Sequence, residues 1–193
     1  MLDLFLVLPI LVGVCAVGLA LRQTVELSLR APVAARPLAA LFEAGTGLSQ
    51  SRTLAERLAP SWAARLLHAA VDAQQTGDDA AFAIAEATDS AGVLAERHLD
   101  AIRALGRIAI PLALGSAIIE LGLGFASGEG GTIAVDAAQG ALAAALRTMA
   151  TGFTTTVFCQ VSVASLRRQA QARMDELRIV AAALTSHMSR TTR

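Results

Sequence analysis

Two charges and a run of hydroxyls carry most of the chemistry that this 193-residue sequence offers. Glu120 and Arg147 each sit inside a long apolar stretch. On membrane-insertion scales a charge in such a place costs about 2.5–3.5 kcal/mol, so each needs a reason to be there. Three readings stand open. Glu120 and Arg147 form an ion pair, within one chain or between chains. Glu120 faces a polar path and handles protons. Arg147 snorkels its guanidinium to the bilayer surface. Beside them, Thr148, Thr151, Thr155 and Ser162 follow a helical spacing of 3, 4 and 7, which puts them on one helix face. With Gln160 they give a polar stripe. Such hydroxyls either bond back to carbonyls and across helices or line a hydrophilic path.

Other chemistry is missing from the pattern. His68, His98 and His187 are scattered without partner spacing. Cys15 and Cys159 both lie in apolar runs, where a buried thiol serves as a small core filler, and two cysteines make no disulfide framework or metal-ligand set. No glycine-rich phosphate loop, Ser/His/Asp set or paired-carboxylate site appears. The expectation is a protein without enzymatic activity, metal or cofactor.

The composition points the same way. The chain is 54% hydrophobic and 17% charged, with a mean hydropathy of +0.56. Soluble domains are nearer 45–50% apolar and about 25% charged. A disordered chain and a nucleic-acid-binding module are therefore not expected. The 16 basic residues, all Arg, balance 16 acidic ones. Arg in place of Lys and abundant Ala suggest GC-rich codons and a bacterial source.

Three apolar runs are long enough to span a bilayer, which takes about 20 residues. Residues 2–21 hold one charge, Asp3, at the outer edge, and the first Arg, Arg22, follows the run. That order fits a retained anchor rather than a cleaved signal peptide. Residues 108–126 contain only Glu120 as a charge, with Pro111 expected in the first turn, before the breaker at 127–131. Residues 137–166 are interrupted by Arg147; a helix of that length rises about 45 Å, so it tilts or projects beyond the bilayer.

Arginine placement sets the orientation. Arg22, Arg30 and Arg36 follow the first run; Arg97, Arg103 and Arg107 precede the second; Arg167, Arg168, Arg173 and Arg178 follow the third. The N-terminus and the 127–136 loop carry Asp3, Glu129 and Asp136 and no Arg. The expected organisation is an outside N-terminus with a first span at 1–22, a cytoplasmic helical region at 23–104, a second span at 105–126, a periplasmic loop at 127–136, a third span at 137–166 and a cytoplasmic tail at 167–193.

Within 23–107, Pro32 and Pro37 punctuate the exit from the first span, and Gly45 and Gly47 interrupt the apolar face that follows. Leu54, Leu58, Trp62, Leu66 and Leu67 recur at helical spacing, with Pro60 marking a new helix. Thr76-Gly77-Asp78-Asp79 reads as a turn with an N-cap. A continuous helix from about 79 to 126 is expected. Leu177, Val180 and Leu184 extend the third helix in the same way. The fold class is thus an all-α integral membrane protein with three transmembrane helices, the second and third extended into a cytoplasmic helical bundle.

This layout resembles the MotA/TolQ/ExbB proton-channel family. The motif likeness lies within 105–166. In Ala145-Leu146-Arg147-Thr148-Met149-Ala150-Thr151-Gly152-Phe153, Ala145, Leu146, Thr148, Ala150 and Gly152 fit the family pattern. In the second span Gly115 and Gly122 keep its seven-residue glycine spacing, and Phe125 takes an aromatic position. The sequence departs from the family at Ile119 and Met149, where pore threonines are usual, at Ala144 in place of a Glu, and at Phe158 in place of a Pro. The resemblance implies a subunit of a proton-motive-force-driven inner-membrane complex in energy transduction, ion transport or protein transport. It would form a homo-oligomeric ring, a pentamer, around a single-span partner like ExbD, TolR or MotB. Thr148, Thr151, Thr155, Ser162 and Glu120 are the candidates for the ion path, and Gly115, Gly122 and Gly152 for helix packing. The departures keep a second expectation open: a non-conducting oligomeric membrane scaffold.

Overall fold

The computed structural model describes residues 4–29, 39, 48–59, 61–126 and 135–191. Among the described residues every element is an α-helix: α1 (Leu4–Leu29), α2 (Leu48–Leu58), α3 (Trp62–Thr76), α4 (Ala80–Glu96), α5 (Leu99–Ala126) and α6 (Val135–Thr191). Three stretches are long and apolar enough to cross a membrane, Leu6–Leu29, Ala80–Ala126 and Val135–Arg190, which suits a multi-pass membrane protein. The punctuating residues Pro32, Pro37, Gly45, Gly47 and Pro60, and the loop glycines after Ala126, lie outside the described residues.

The helix ends follow local chemistry. Ser61 caps α3, its hydroxyl accepting the Ala64 N–H at 3.3 Å. Gly77 ends the same helix at φ 79, ψ 16, a left-handed conformation that glycine adopts without Cβ strain. The Asp79 carboxylate then caps α4 by accepting the Ala81 N–H at 2.9 Å, and Thr76 Oγ1 donates to Asp78 Oδ2 across the turn at 2.6 Å. Thr76–Asp79 is the turn with an N-cap that its residue types suggest.

Two expectations about continuity are corrected. The helix anticipated from 79 to 126 is two helices, because the chain turns at Arg97 and His98 between Glu96 and Leu99. Since α5 begins at Leu99, Pro111 lies in the helix interior and not in its first turn, a position that membrane helices tolerate. The third helix does continue past Leu166. It runs unbroken for 57 residues, well beyond the roughly 20 that a hydrocarbon core needs.

By contacts the chain divides into two compact units, residues 1–22 with 98–166, and residues 23–97 with 167–193. Their side-chain patterns differ. In the first unit most buried positions are small, among them Ala16, Ala109, Ala113, Ala117, Ala145 and Cys159, while Leu99, Ile102 and Leu166 are buried near its 98 and 166 ends. Many of its large apolar side chains point outward, among them Leu11, Val14, Leu21, Ile118, Leu123 and Phe153. Water would not tolerate that arrangement, whereas lipid tails are as apolar as leucine and leave close packing of small residues as a main source of helix association. Cys15 is exposed on this surface and only Cys159 is buried, so the expectation of two buried thiols fails for the first.

In the second unit more large residues are inside, although Leu29, Phe82, Val93 and Ile179 are exposed. Leu27, Leu66, Leu67, Ile84, Val180 and Leu184 are all buried, with α3 packed against α2 and α4. Met174 reaches the Gly92 position of α4. Gln23, 1% exposed, donates from Nε2 to the Ala95 carbonyl at 2.6 Å. Ion pairs stay on the surface, as between Arg173 and Glu176 at 3.1 Å. This is the pattern of helices packed in water.

Candidate functional site

The site is built on the antiparallel seam between α5 and the first half of α6. Its backbone separation is set by three glycines. A Cβ on Gly124 would lie 2.1 Å from Ala141 Cβ, one on Gly152 would lie 2.3 Å from Ala113 Cβ, and one on Gly106 would lie 2.8 Å from Cys159 Cβ. No real Cβ makes such contacts, so the two backbones approach this closely only because these positions are bare. A fourth glycine, Gly13 on α1, lets Thr155 in, with Oγ1 3.1 Å from the place of a Cβ.

Of the glycines expected at helix contacts, Gly152 is at one. Gly115 and Gly122 meet no helix within the chain: both are exposed, and nothing lies within 4 Å of a Cβ built on either. Gly106, Gly124 and Gly13 were missed. Gly106 could have been found, since Gly106, Ala109, Ala113, Ala117 and Glu120 repeat at heptad-like spacing and are all buried.

Inside the seam Glu120 is 9% exposed and Thr148 is 1% exposed. The Thr148 hydroxyl faces both carboxylate oxygens of Glu120, 3.1 Å from Oε1 and 3.0 Å from Oε2. A neighbouring bond ties the same helices together, with Thr156 Oγ1 donating to the Gly106 carbonyl at 3.1 Å and to Gly152 O at 3.0 Å. Thr156 lies beside the expected stripe and was not among its members.

The pairing of Glu120 with Arg147 is not made within the chain. Arg147 is one residue from Thr148 and so at nearly the depth of Glu120, but it projects from an exposed face. Its Nε donates to the Ala143 carbonyl at 3.2 Å. The reason is angular: adjacent helix residues point about 100° apart, and Thr148 takes the direction toward α5.

The hydroxyl stripe is divided in the same way. Thr148 and Thr155 are buried within the chain, while Thr151 and Ser162 are half-buried at its edge. Thr151 donates to the Arg147 carbonyl at 2.9 Å, and the exposed Thr154 donates to Ala150 O at 2.8 Å. Two sets of polar groups result. Glu120, Thr148 and Thr156 are enclosed between helices, while Arg147, Thr151 and Thr154 face outward from α6. Among the described residues no group of His, Cys, Asp and Glu is arranged to hold a metal.

Comparison with protein-family models, with curated proteins and with solved structures gives no match to this chain.

Proposed function

We propose that the chain is a multi-pass subunit of a proton-driven membrane complex, resembling the MotA/TolQ/ExbB family in the role of its second and third spans. The observation that carries this reading is Glu120: a carboxylate enclosed between two apolar helices, with the Thr148 hydroxyl against both of its oxygens. Intramembrane carboxylates are expensive and belong to ion paths and proton relays. The 57-residue length of α6, well past what a hydrocarbon core needs, and the packing of the second unit support a sizeable part outside the lipid. That part lies, in this reading, on the arginine-rich, cytoplasmic side of a bacterial inner membrane, with the N-terminus in the periplasm. In this reading several copies form a ring, a pentamer by the resemblance, around a single-span partner.

Reconstituted complex in vesicles loaded with a pH-sensitive dye tests it. An imposed membrane potential should drive proton entry, and Glu120→Gln should reduce it while the complex still assembles. Wild-type flux in Glu120→Gln would remove Glu120 from the path. Absence of flux in the intact complex would favour a non-conducting scaffold. That second reading has its own support, because Thr148, Thr155 and Thr156 are turned into packing within one chain rather than toward an open path.

A further inference from the structure

The outer side of α4 carries a line of five residues that joins two large apolar side chains to three carboxylates. Phe82, Glu86, Asp89, Val93 and Glu96 follow one another at spacings of 4, 3, 4 and 3, which keeps them on one helix face. The buried residues of α4 are Ile84, Ala91 and Ala95. Each is two positions from Phe82, Glu86 or Val93, on roughly the opposite side of the helix, so the line points away from the core of the second unit. Phe82 is 68% exposed and Val93 is 72% exposed. They stand 11 residues apart, about 16 Å along the axis. Among the described residues Glu86, Asp89 and Glu96 take part in no ion pair.

Each half of the line borders a cleft. Phe82 and Glu86 edge one of about 650 Å³ between α3 and α4, which holds Ala73 and Ala83 and is rimmed by Asp72, Asp78 and Asp79. Asp89, Val93 and Glu96 edge another of about 670 Å³, shared with Met174, Asp175 and Arg178 of α6. The two clefts together present seven carboxylates and one guanidinium, and that guanidinium is already paired, Arg178 with Asp175 at 3.3 Å. A metal ion does not fit these acids, because among the described residues no group of His, Cys, Asp and Glu is arranged to hold one. An anionic membrane surface repels them, and helices that lie on membranes carry Lys and Arg instead. Two copies of the chain meeting through this line would set Glu86, Asp89 and Glu96 against their own equivalents, like charge on like charge. The complement of the face is cationic and has apolar residues of its own.

We propose that the Phe82–Glu86–Asp89–Val93–Glu96 face docks a cationic amphipathic helix of a water-soluble protein. The apolar residues of that helix recur over three turns and cover Phe82 and Val93, in the manner of helix recognition by spaced apolar anchors. Its Lys or Arg side chains lie over Glu86 and Asp89 between the two anchors. Their stems run along the clefts and their charged ends meet the rim carboxylates. Phe82 and Val93 supply most of the affinity through burial, while the carboxylates select the sign of the partner and speed its approach. This goes beyond the proposed function. It uses from that reading only that the second unit lies outside the lipid, and proton flow plays no part in it.

The test uses the full chain in phosphatidylcholine nanodiscs, with empty nanodiscs as the baseline, and three fluorescein-labelled synthetic helices of about 21 residues. The first has leucines recurring along one face and lysines around the rest. The second replaces the lysines by glutamates. The third keeps the composition of the first but disperses the leucines around the helix. Fluorescence anisotropy should show the first binding about tenfold more tightly than either of the others. Phe82→Ala should weaken it about tenfold, and Glu86→Lys with Asp89→Lys should move the preference to the glutamate helix. The replaced side chains are exposed, so the variants should keep the unfolding temperature of the wild type and its subunit count by mass photometry. Equal binding of the lysine and glutamate helices would overturn the proposal. So would equal binding of the dispersed helix, which leaves only a diffuse negative surface, or unchanged binding in the variants. A lowered unfolding temperature in Phe82→Ala would give the residue to the fold of the chain, and a changed subunit count would make the face a contact between copies; either result also overturns the proposal.

Discussion

Glu120 and Thr148 are joined across α5 and α6 by a single hydroxyl placed between two carboxylate oxygens, at 3.1 and 3.0 Å. Thr148→Val keeps the shape of the side chain and removes the donor. It leaves a buried carboxylate without its partner, a loss of about 1–3 kcal/mol or more for a charged group. Glu120→Gln should cost less, because the amide oxygen still accepts the hydroxyl. Thermal unfolding of the purified protein in mild detergent reads both. A Thr148→Val protein as stable as the wild type would show that the bond contributes nothing.

Arg147 and Glu120 are expected to act independently within a chain, since the guanidinium bonds Ala143 O and the carboxylate bonds Thr148. Unlinked sites give additive effects. Arg147→Gln should therefore not rescue the stability lost in Glu120→Gln. Rescue in the double variant would place the two charges together across a subunit boundary.

The glycine seam makes a sharper contrast. Gly152→Ala puts a methyl 2.3 Å from Ala113 Cβ, and overpacking of this kind costs about 1–3 kcal/mol. Ala113→Gly in the same chain should recover part of the loss, leaving the contact with Ala109 O at 3.0 Å. Gly115→Ala, in open space, should be neutral or slightly stabilising because alanine is the better helix former. The check is again unfolding in detergent, and a Gly115→Ala as harmful as Gly152→Ala would place Gly115 at an interface with another chain.

The difference between those two glycines explains how far the sequence could be read. Span existence follows from run length and hydropathy, and residues 108–126 and 137–166 both fall inside observed helices. Which small residue meets which neighbour depends on rotation about the helix axis, and that is set by the partner helix rather than by the run. Gly115 and Gly122 share a seven-residue spacing, but they lie on the far side of α5 from the Gly106–Ala113–Glu120 line. The hydroxyl stripe has the same ambiguity. Spacing placed Thr148, Thr151 and Thr155 on one face, yet a helical face is broad, and α5 covers only its Thr148 edge. The break at Arg97 and His98 left no mark in the sequence, since neither glycine nor proline stands there.

The difference between a buried leucine of the second unit and an exposed one of the first can be measured by truncation. Leu66 is 0% exposed and Leu146 is 58% exposed. Leu66→Ala opens a cavity and should cost about 2–5 kcal/mol. Leu146→Ala removes a side chain that touches lipid or detergent in both folded and unfolded chains, so its effect on unfolding should be small. A large loss at Leu146 would mean that this surface is covered by protein.

The last expectation concerns the side of the membrane on which the second unit lies. Arginines cluster at 22–36, 97–107 and 167–178 and are absent from 127–136, so the loop after α5 should be outside and the second unit inside. A labelled cysteine must be accessible for its side to be read, which rules out Ala73, 5% exposed. Gln75, exposed near the end of α3, is suitable. In a Cys15→Ala, Cys159→Ala background, Gly130→Cys in intact cells should react with a membrane-impermeant maleimide, and Gln75→Cys should react only after the membrane is opened. Alanine at 159 keeps the Cβ that packs at Gly106, so the background should assemble as the native chain does. Labelling of Gln75→Cys in intact cells would invert the topology.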